Sequence, residues 1–209
     1  MTTSLTKDVQ LANFSALAYK SDGLVNGHAP AGWERVGDLV QGPVAAFAYK
    51  NLRTGEIVIA YRGTDGIGDA PANVAVAAGH WTTQYDQGAQ FAKDIADANP
   101  GVQIQVTGHF LGGAIAQVVG QIFGWSGSTI DPGAACRALN NPEFQTLANS
   151  LVQNFNGLGI GGDVTNYTVV GSAICAETGA HLSQVSARCC PDRRAQLPPS
   201  STLTCSTVR

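Results

Sequence analysis

The feature that most narrows the possible folds is a run of strand, corner and helix in the middle of the chain. Residues 102–107 (VQIQVT) read as a strand, and residues 112–123 read as a helix rich in Ala, Val and Ile. A tight corner bounded by Gly108 and Gly112 joins them, with Phe110 at its centre. A strand that turns sharply into an apolar helix is the repeating unit of a mostly parallel α/β sheet.

The flanking sequence fits that scheme. Residues 4–20 have helical spacing, with Val9, Ala12, Ala16 and Tyr19 expected on one face. A glycine-rich loop follows over residues 21–33, then two strand-like runs, 44–49 and 57–61. The polar turn NLRTG between these runs makes them a hairpin. Residues 85–98 carry a second helical stripe of Tyr85, Ala89, Ala92, Ile95 and Ala96, ended by Asn99-Pro100-Gly101. A short strand is expected at residues 128–130 and a further one at 164–170 (VTNYTVV), with a helical or irregular segment between them to about Phe155.

A chain of 209 residues suits one domain of ordinary size with a sizeable core. Its 44% hydrophobic and 13% charged residues exclude a disordered chain. A net charge of −3 without clustered Lys and Arg argues against nucleic-acid binding. No apolar run has the length of a membrane span. The N-terminal stretch MTTSLTKDVQ lacks an apolar signal core, so no conventional secretory signal is read in it; a cytoplasmic location, export by a signal-free route and prior removal of a leader all stay open. Cys136, Cys175, Cys189, Cys190 and Cys205 lack C-x-x-C spacing and read as thiols of a reduced compartment, a disulfide between tail and body being the alternative. Asp65 and Asp69 in a glycine-rich loop are thin grounds for a cation site, so neither metal nor cofactor is expected. Residues 1–185 are expected to form the domain. Residues 186–209, with their arginines, cysteines and Pro198-Pro199, form a peripheral tail.

A strand-to-helix corner with small neighbours is also where acyl-transfer enzymes of the α/β type place their nucleophile. The pattern is G-x-S-x-G, and the backbone N–H after the nucleophile points at the developing oxyanion. Gly108 and Gly112 occupy the two glycine positions, and Phe110 stands where the serine would be. A G-x-x-x-G spacing alone describes a connection in any doubly wound fold.

The neighbouring letters say more. GHFLGGAIAQ resembles the GHSLGG(A/G)xA segment of the class 3 lipases, the fungal-lipase-like family of α/β-hydrolases. IVIAYRGT, residues 57–64, resembles that family's strand and RG(S/T) element before the oxyanion hole. LANFSALAYK resembles its opening A-x-x-S-x-x-A-Y helix, and His181 follows the last strand where the family has its catalytic histidine. The resemblance covers roughly residues 5–185 in order.

It implies an α/β-hydrolase fold: a mostly parallel central sheet flanked by helices, with a small lid-like insertion. It implies oxyanion donors at Thr64 and Leu111, a general base at His181, and a turn built by Gly108, His109, Gly112 and Gly113. The family's acid position matches Gly171-Ser172-Ala173-Ile174, which has no carboxylate. Asp131, at a strand end in IDPG, is the preferred acid. Asp163 precedes its strand and would lie at the wrong end of a parallel sheet. The segment 65–83, with Trp81, corresponds to the lid. The implied substrate is a lipid or other ester, met at a transient lipid interface. Phenylalanine has no removable proton, and losing the nucleophile costs on the order of 10⁶ in turnover. The chain is therefore expected to be a crippled lipase or esterase. The alternatives are a natural pseudoenzyme that binds an acyl group, or an interaction protein on the same scaffold.

Overall fold

The computed structural model describes residues 2–20, 23–42, 44–63, 80–133, 135–152 and 163–167. In order, the elements are α1 (Thr2–Leu17), β1 (Trp33–Gln41), β2 (Val44–Asn51), β3 (Ile57–Tyr61), α2 (Thr83–Ala98), β4 (Ile104–His109), α3 (Leu111–Phe123), β5 (Gly127–Ile130), α4 (Ala135–Leu139), α5 (Pro142–Leu151) and β6 (Val164–Tyr167).

The strands form one six-stranded sheet in the order β1-β2-β3-β4-β5-β6. The first three are antiparallel and β3 to β6 are parallel. The expected hairpin is present: Asn51 Oδ1 accepts from the N–H groups of Arg53 and Thr54 at 2.9 and 3.1 Å and closes its turn.

The central strands are buried on both faces, which explains their unbroken apolar letters. Ala46, Ala48, Ile57, Ile59, Tyr61 and Val106 face the layer of α2 and α3. Ala45, Phe47, Tyr49, Val58 and Ala60 face α1. The helical layer seats closely on the sheet: Tyr61 Oη donates to Gly88 O at 3.0 Å, and a Cβ on Gly88 would stand 2.5 Å from Ile115 Cγ2.

Two expectations are corrected. The buried face of α1 and the turn after it is Leu11, Phe14, Ser15, Leu17 and Ala18, whereas Val9 is 54% exposed. The larger apolar side chains at spacings of three bury more area than the alanines and win the face. Strand β1 was not expected, because its glutamate, arginine, glycine and aspartate hide any alternation. It is the outer strand, mostly accessible, and carries an irregularity between Arg35 and Gly37.

Elsewhere the boundaries move by a few residues. β4 begins two residues later than expected and runs to His109, and the segment after β5 holds α4 and α5. No helix among the described residues is long and apolar enough to cross a membrane. The lid-region residues 64–79 and the tail 186–209 lie outside the described residues, as do all the cysteines except Cys136.

Candidate active site

Parallel pairing aligns the carboxyl ends of the strands along one edge of the sheet. Tyr61 stands beside Gly108, His109 beside Ile130, and Ile130 beside Tyr167. In open α/β sheets this edge is where ligands bind.

Phe110 occupies the corner between β4 and α3 at φ 52°, ψ −115°. A bulky L residue at positive φ is a backbone outlier and costs on the order of 1–3 kcal/mol. The corner is held on every side. Phe110 N–H donates to Ile130 O at 3.2 Å, and Phe110 O accepts from Ala114 N–H at 3.0 Å and Gly133 N–H at 2.9 Å.

The surrounding glycines are needed for close approach. A Cβ on Gly108 would stand 2.8 Å from Gly113 N, one on Gly112 2.8 Å from Arg62 C, and one on Gly113 2.8 Å from Pro132 Cβ. Real Cβ atoms essentially never come that near. These glycines therefore let α3 start directly against the ends of β3 and β4. Leu111 is the first residue of α3 and its side chain is buried. Its amide is among the four N–H groups that a helix leaves without an intrahelical partner.

Asp131 lies at the end of β5, buried and at φ 40°, its N–H donating to Tyr167 O at 2.7 Å. The imidazole of His109 is half-buried, and burial lowers its pKa. The Asp131 carboxylate acts in the opposite sense on the same ring, which puts the two side chains in electrostatic reach. Asp163, by contrast, meets the amino end of β5, where Gly127 N–H donates to its carbonyl at 3.2 Å. That is the far edge of the sheet from Phe110.

The structure thus brings together Phe110, Leu111, Asp131 and the turn residues Gly108, His109, Gly112 and Gly113. Thr64 and His181 lie outside the described residues, although Gly63 ends its segment at the carboxyl edge. His28 and His80 are both exposed, and the His28 ring bonds locally to Asn26 O at 2.9 Å. Trp81, from the expected lid segment, packs on the core with its ring 5.0 Å from that of Tyr85.

Two features escaped sequence reasoning. Tyr19, expected on an apolar helix face, has its hydroxyl 2.8 Å from His109 Nδ1. A buried polar chain stands behind the corner. In it, Thr129 Oγ1 donates to Asn166 Oδ1 at 2.6 Å, Asn166 Nδ2 to Gln117 Oε1 at 3.0 Å, and Gln117 Nε2 to Gly113 O at 3.2 Å. The one sequence signal for it was the polar letters inside otherwise apolar elements.

A mostly parallel sheet whose fourth strand breaks at positive φ into an apolar helix is the architecture of an α/β-hydrolase. The chain belongs to the phospholipase-like family with a Tle-like phospholipase domain, whose model matches residues 10–175.

Among solved structures, a fungal lipase in complex with an inhibitor is similar at 14% identity and a TM-score of 0.51, covering 80% of each chain. Lipase II from Rhizopus niveus is 14% identical, covers 81% of this chain and 82% of that one, and has a TM-score of 0.46. The Lip2 lipase from Yarrowia lipolytica is 16% identical, covers 62% of this chain and has a TM-score of 0.43. The chain spans 58% of the length of that last enzyme. No curated protein sequence matches the chain.

Proposed function

We propose that this chain is a lipase-type carboxylic ester hydrolase scaffold in which Phe110 has replaced the nucleophile, so that it turns over esters at background rate only. The observation that carries the reading is the backbone of Phe110, held at φ 52°, ψ −115° under a benzyl side chain. A corner without catalytic ancestry would relieve that strain with glycine. A nucleophile corner needs the strain in order to present its side chain.

In the active form, a serine hydroxyl at position 110 attacks the ester carbonyl carbon and passes its proton to His181. The Leu111 and Thr64 amides stabilise the oxyanion, and the alcohol leaves with the proton returned by His181. Water then releases the acid. Asp131 is the acid proposed to hold the imidazolium. Its burial at the carboxyl edge supports this role, and the position of Asp163 at the opposite edge argues against Asp163. The proposed substrate is a fatty-acyl ester, of a phospholipid or an acylglycerol, taken from a lipid interface.

The test is Phe110→Ser, assayed beside the unaltered chain on p-nitrophenyl esters of short and long acyl chain. The substitution is expected to raise turnover by on the order of 10³-fold or more. Asp131→Asn in the serine-bearing protein is expected to remove most of that gain. A folded Phe110→Ser protein that stays at background refutes the reading. So does hydrolysis by the unaltered chain.

A further inference from the structure

The hydrolase reading concerns the carboxyl edge of the sheet and gives no task to the far half of α3. There, α3 and the junction of α4 with α5 enclose a cleft of about 280 Å³. Gln121 on its wall follows Leu111 by ten residues, which places it about 15 Å along the helix axis from the nucleophile turn. The cleft is therefore separate from the site at Phe110.

Its lining excludes most ligand classes. No charged side chain lines it. An anion would find no cation there, and a metal ion no carboxylate. The N-terminus of α5 borders the cleft, yet its N–H groups are already engaged. Glu143 N–H donates to Asn141 Oδ1 at 3.1 Å, and Phe144 N–H to Asn141 O at 3.0 Å.

Carboxamides line it instead, from Gln121, Asn140, Asn141 and Gln145, beside the buried side chains of Leu139 and Phe144. Three of these amides keep bonding capacity. Gln121 is half-buried and has no hydrogen-bond partner among the described residues. Asn141 uses its Oδ1 to cap α5, which leaves its amide N–H groups to donate. Gln145 Nε2 donates to Asn149 Oδ1 at 3.2 Å, which leaves its Oε1 to accept.

A carboxamide holds donors and an acceptor side by side. Two neighbouring hydroxyls offer the complementary set, and a sugar ring carries such pairs around its rim. Its C–H faces suit apolar walls such as Leu139 and Phe144. A flat heterocycle needs an aromatic face to stack on, and Phe144 is only 6% exposed. The volume of about 280 Å³ stands at the lower limit of small-molecule sites, with room for one ring.

We propose that the cleft between α3 and the α4–α5 junction binds one neutral monosaccharide unit, held by the carboxamides of Gln121, Asn141 and Gln145. The site does not involve position 110, and the proposal stands apart from the hydrolase reading.

The experiment titrates the unaltered, isotope-labelled chain with the methyl glycosides of glucose, galactose, mannose and N-acetylglucosamine. Side-chain amide signals in NMR spectra are followed. At least one glycoside is expected to bind with a Kd on the order of 1 mM, as suits a small uncharged ligand, and to move the signals of Gln121 and Asn141. Gln121→Leu and Gln145→Ala should each weaken that binding by about 5-fold or more. Gln145 is exposed on α5, so Gln145→Ala decides the matter should Gln121→Leu fail to fold.

The proposal is overturned if no glycoside moves these signals at about 50 mM, well above the expected constant. It is also overturned if both variants bind as tightly as the parent. Tighter binding of inorganic phosphate, calcium or adenine at the same residues overturns it too. A second arm finds the source of the sugar. The chain is sedimented with phosphatidylcholine vesicles, with and without galactosyl diacylglycerol. Added sedimentation on the galactolipid that Gln145→Ala loses makes the ligand a glycolipid headgroup. Glycoside binding without it makes the ligand a soluble sugar, and either result keeps the proposal. No turnover is read, so an inactive Phe110→Ser protein would refute the hydrolase reading alone.

Discussion

Gly112→Ala puts the packing of the nucleophile turn to a direct test. Gly112 is the second residue of α3, and helix propensity by itself favours alanine there by about 1 kcal/mol. The surroundings oppose it. The added methyl would stand 2.7 Å from Tyr61 C and 2.8 Å from Arg62 C, against about 3.5–4.0 Å for a comfortable carbon pair. These are backbone atoms of a strand end buried in the sheet, and they have no rotamer to yield. The start of α3 would have to retreat by most of an ångström, against the bonds that Phe110 makes to Ile130, Ala114 and Gly133. Overpacking of that kind costs about 1–3 kcal/mol, sometimes more.

Gly120→Ala on the same helix is the internal comparison. Its nearest neighbour is Val164 Cγ2 at 2.7 Å, a methyl on a side chain that can move, and the next is Trp125 O at 3.1 Å. Gly112→Ala should therefore be less stable than the parent by about 1–2 kcal/mol, or about 2–8 °C in melting temperature for a domain of this size. It should also be the less stable of the two variants. Urea unfolding followed by tryptophan fluorescence reads both. A Gly112→Ala protein as stable as the parent, or more stable than Gly120→Ala, would refute the close seating of α3 on β3.

Asn166→Leu removes the hub of the buried polar chain and strips the Thr129 hydroxyl of its Asn166 partner. A loss of about 1–3 kcal/mol is expected, seen as a lower urea midpoint at unchanged slope. An unchanged midpoint would mean that the chain contributes nothing net. The stability of the fold should also respond to acid through His109. Burial lowers its folded pKa below the ordinary 6.5, so beneath that pH the unfolded chain takes up a proton that the folded one resists. Stability is then greatest above pH 6.5 and falls as the pH drops. The loss between pH 7.5 and 5.5 should be smaller in His109→Asn, and identical pH slopes would remove His109 as the cause.

The sequence by itself determined the architecture of the centre. Strand, glycine corner and apolar helix recur in the structure at β4 and α3, and the two-sided burial of β2 and β3 is written in their unbroken apolar runs. Those are local signals, set by periodicity and by the special backbone that glycine permits. The odd residue at the corner was legible for the same reason.

What only the tertiary structure decided were matters of distance between elements. Leu11, Phe14 and Leu17 took the buried face of α1 because the groove they fill is made by three strands far along the chain. β1 exists because β2 offers it an edge to pair with, its own letters being too polar to announce it. Tyr19 and His109 are 90 positions apart, and nothing in either neighbourhood says that they meet. Sequence spacing encodes what lies on one turn or one strand. The contact of α1 with the end of β4 follows from how whole layers pack, and that packing is what closes Gly63 against the corner beneath Phe110.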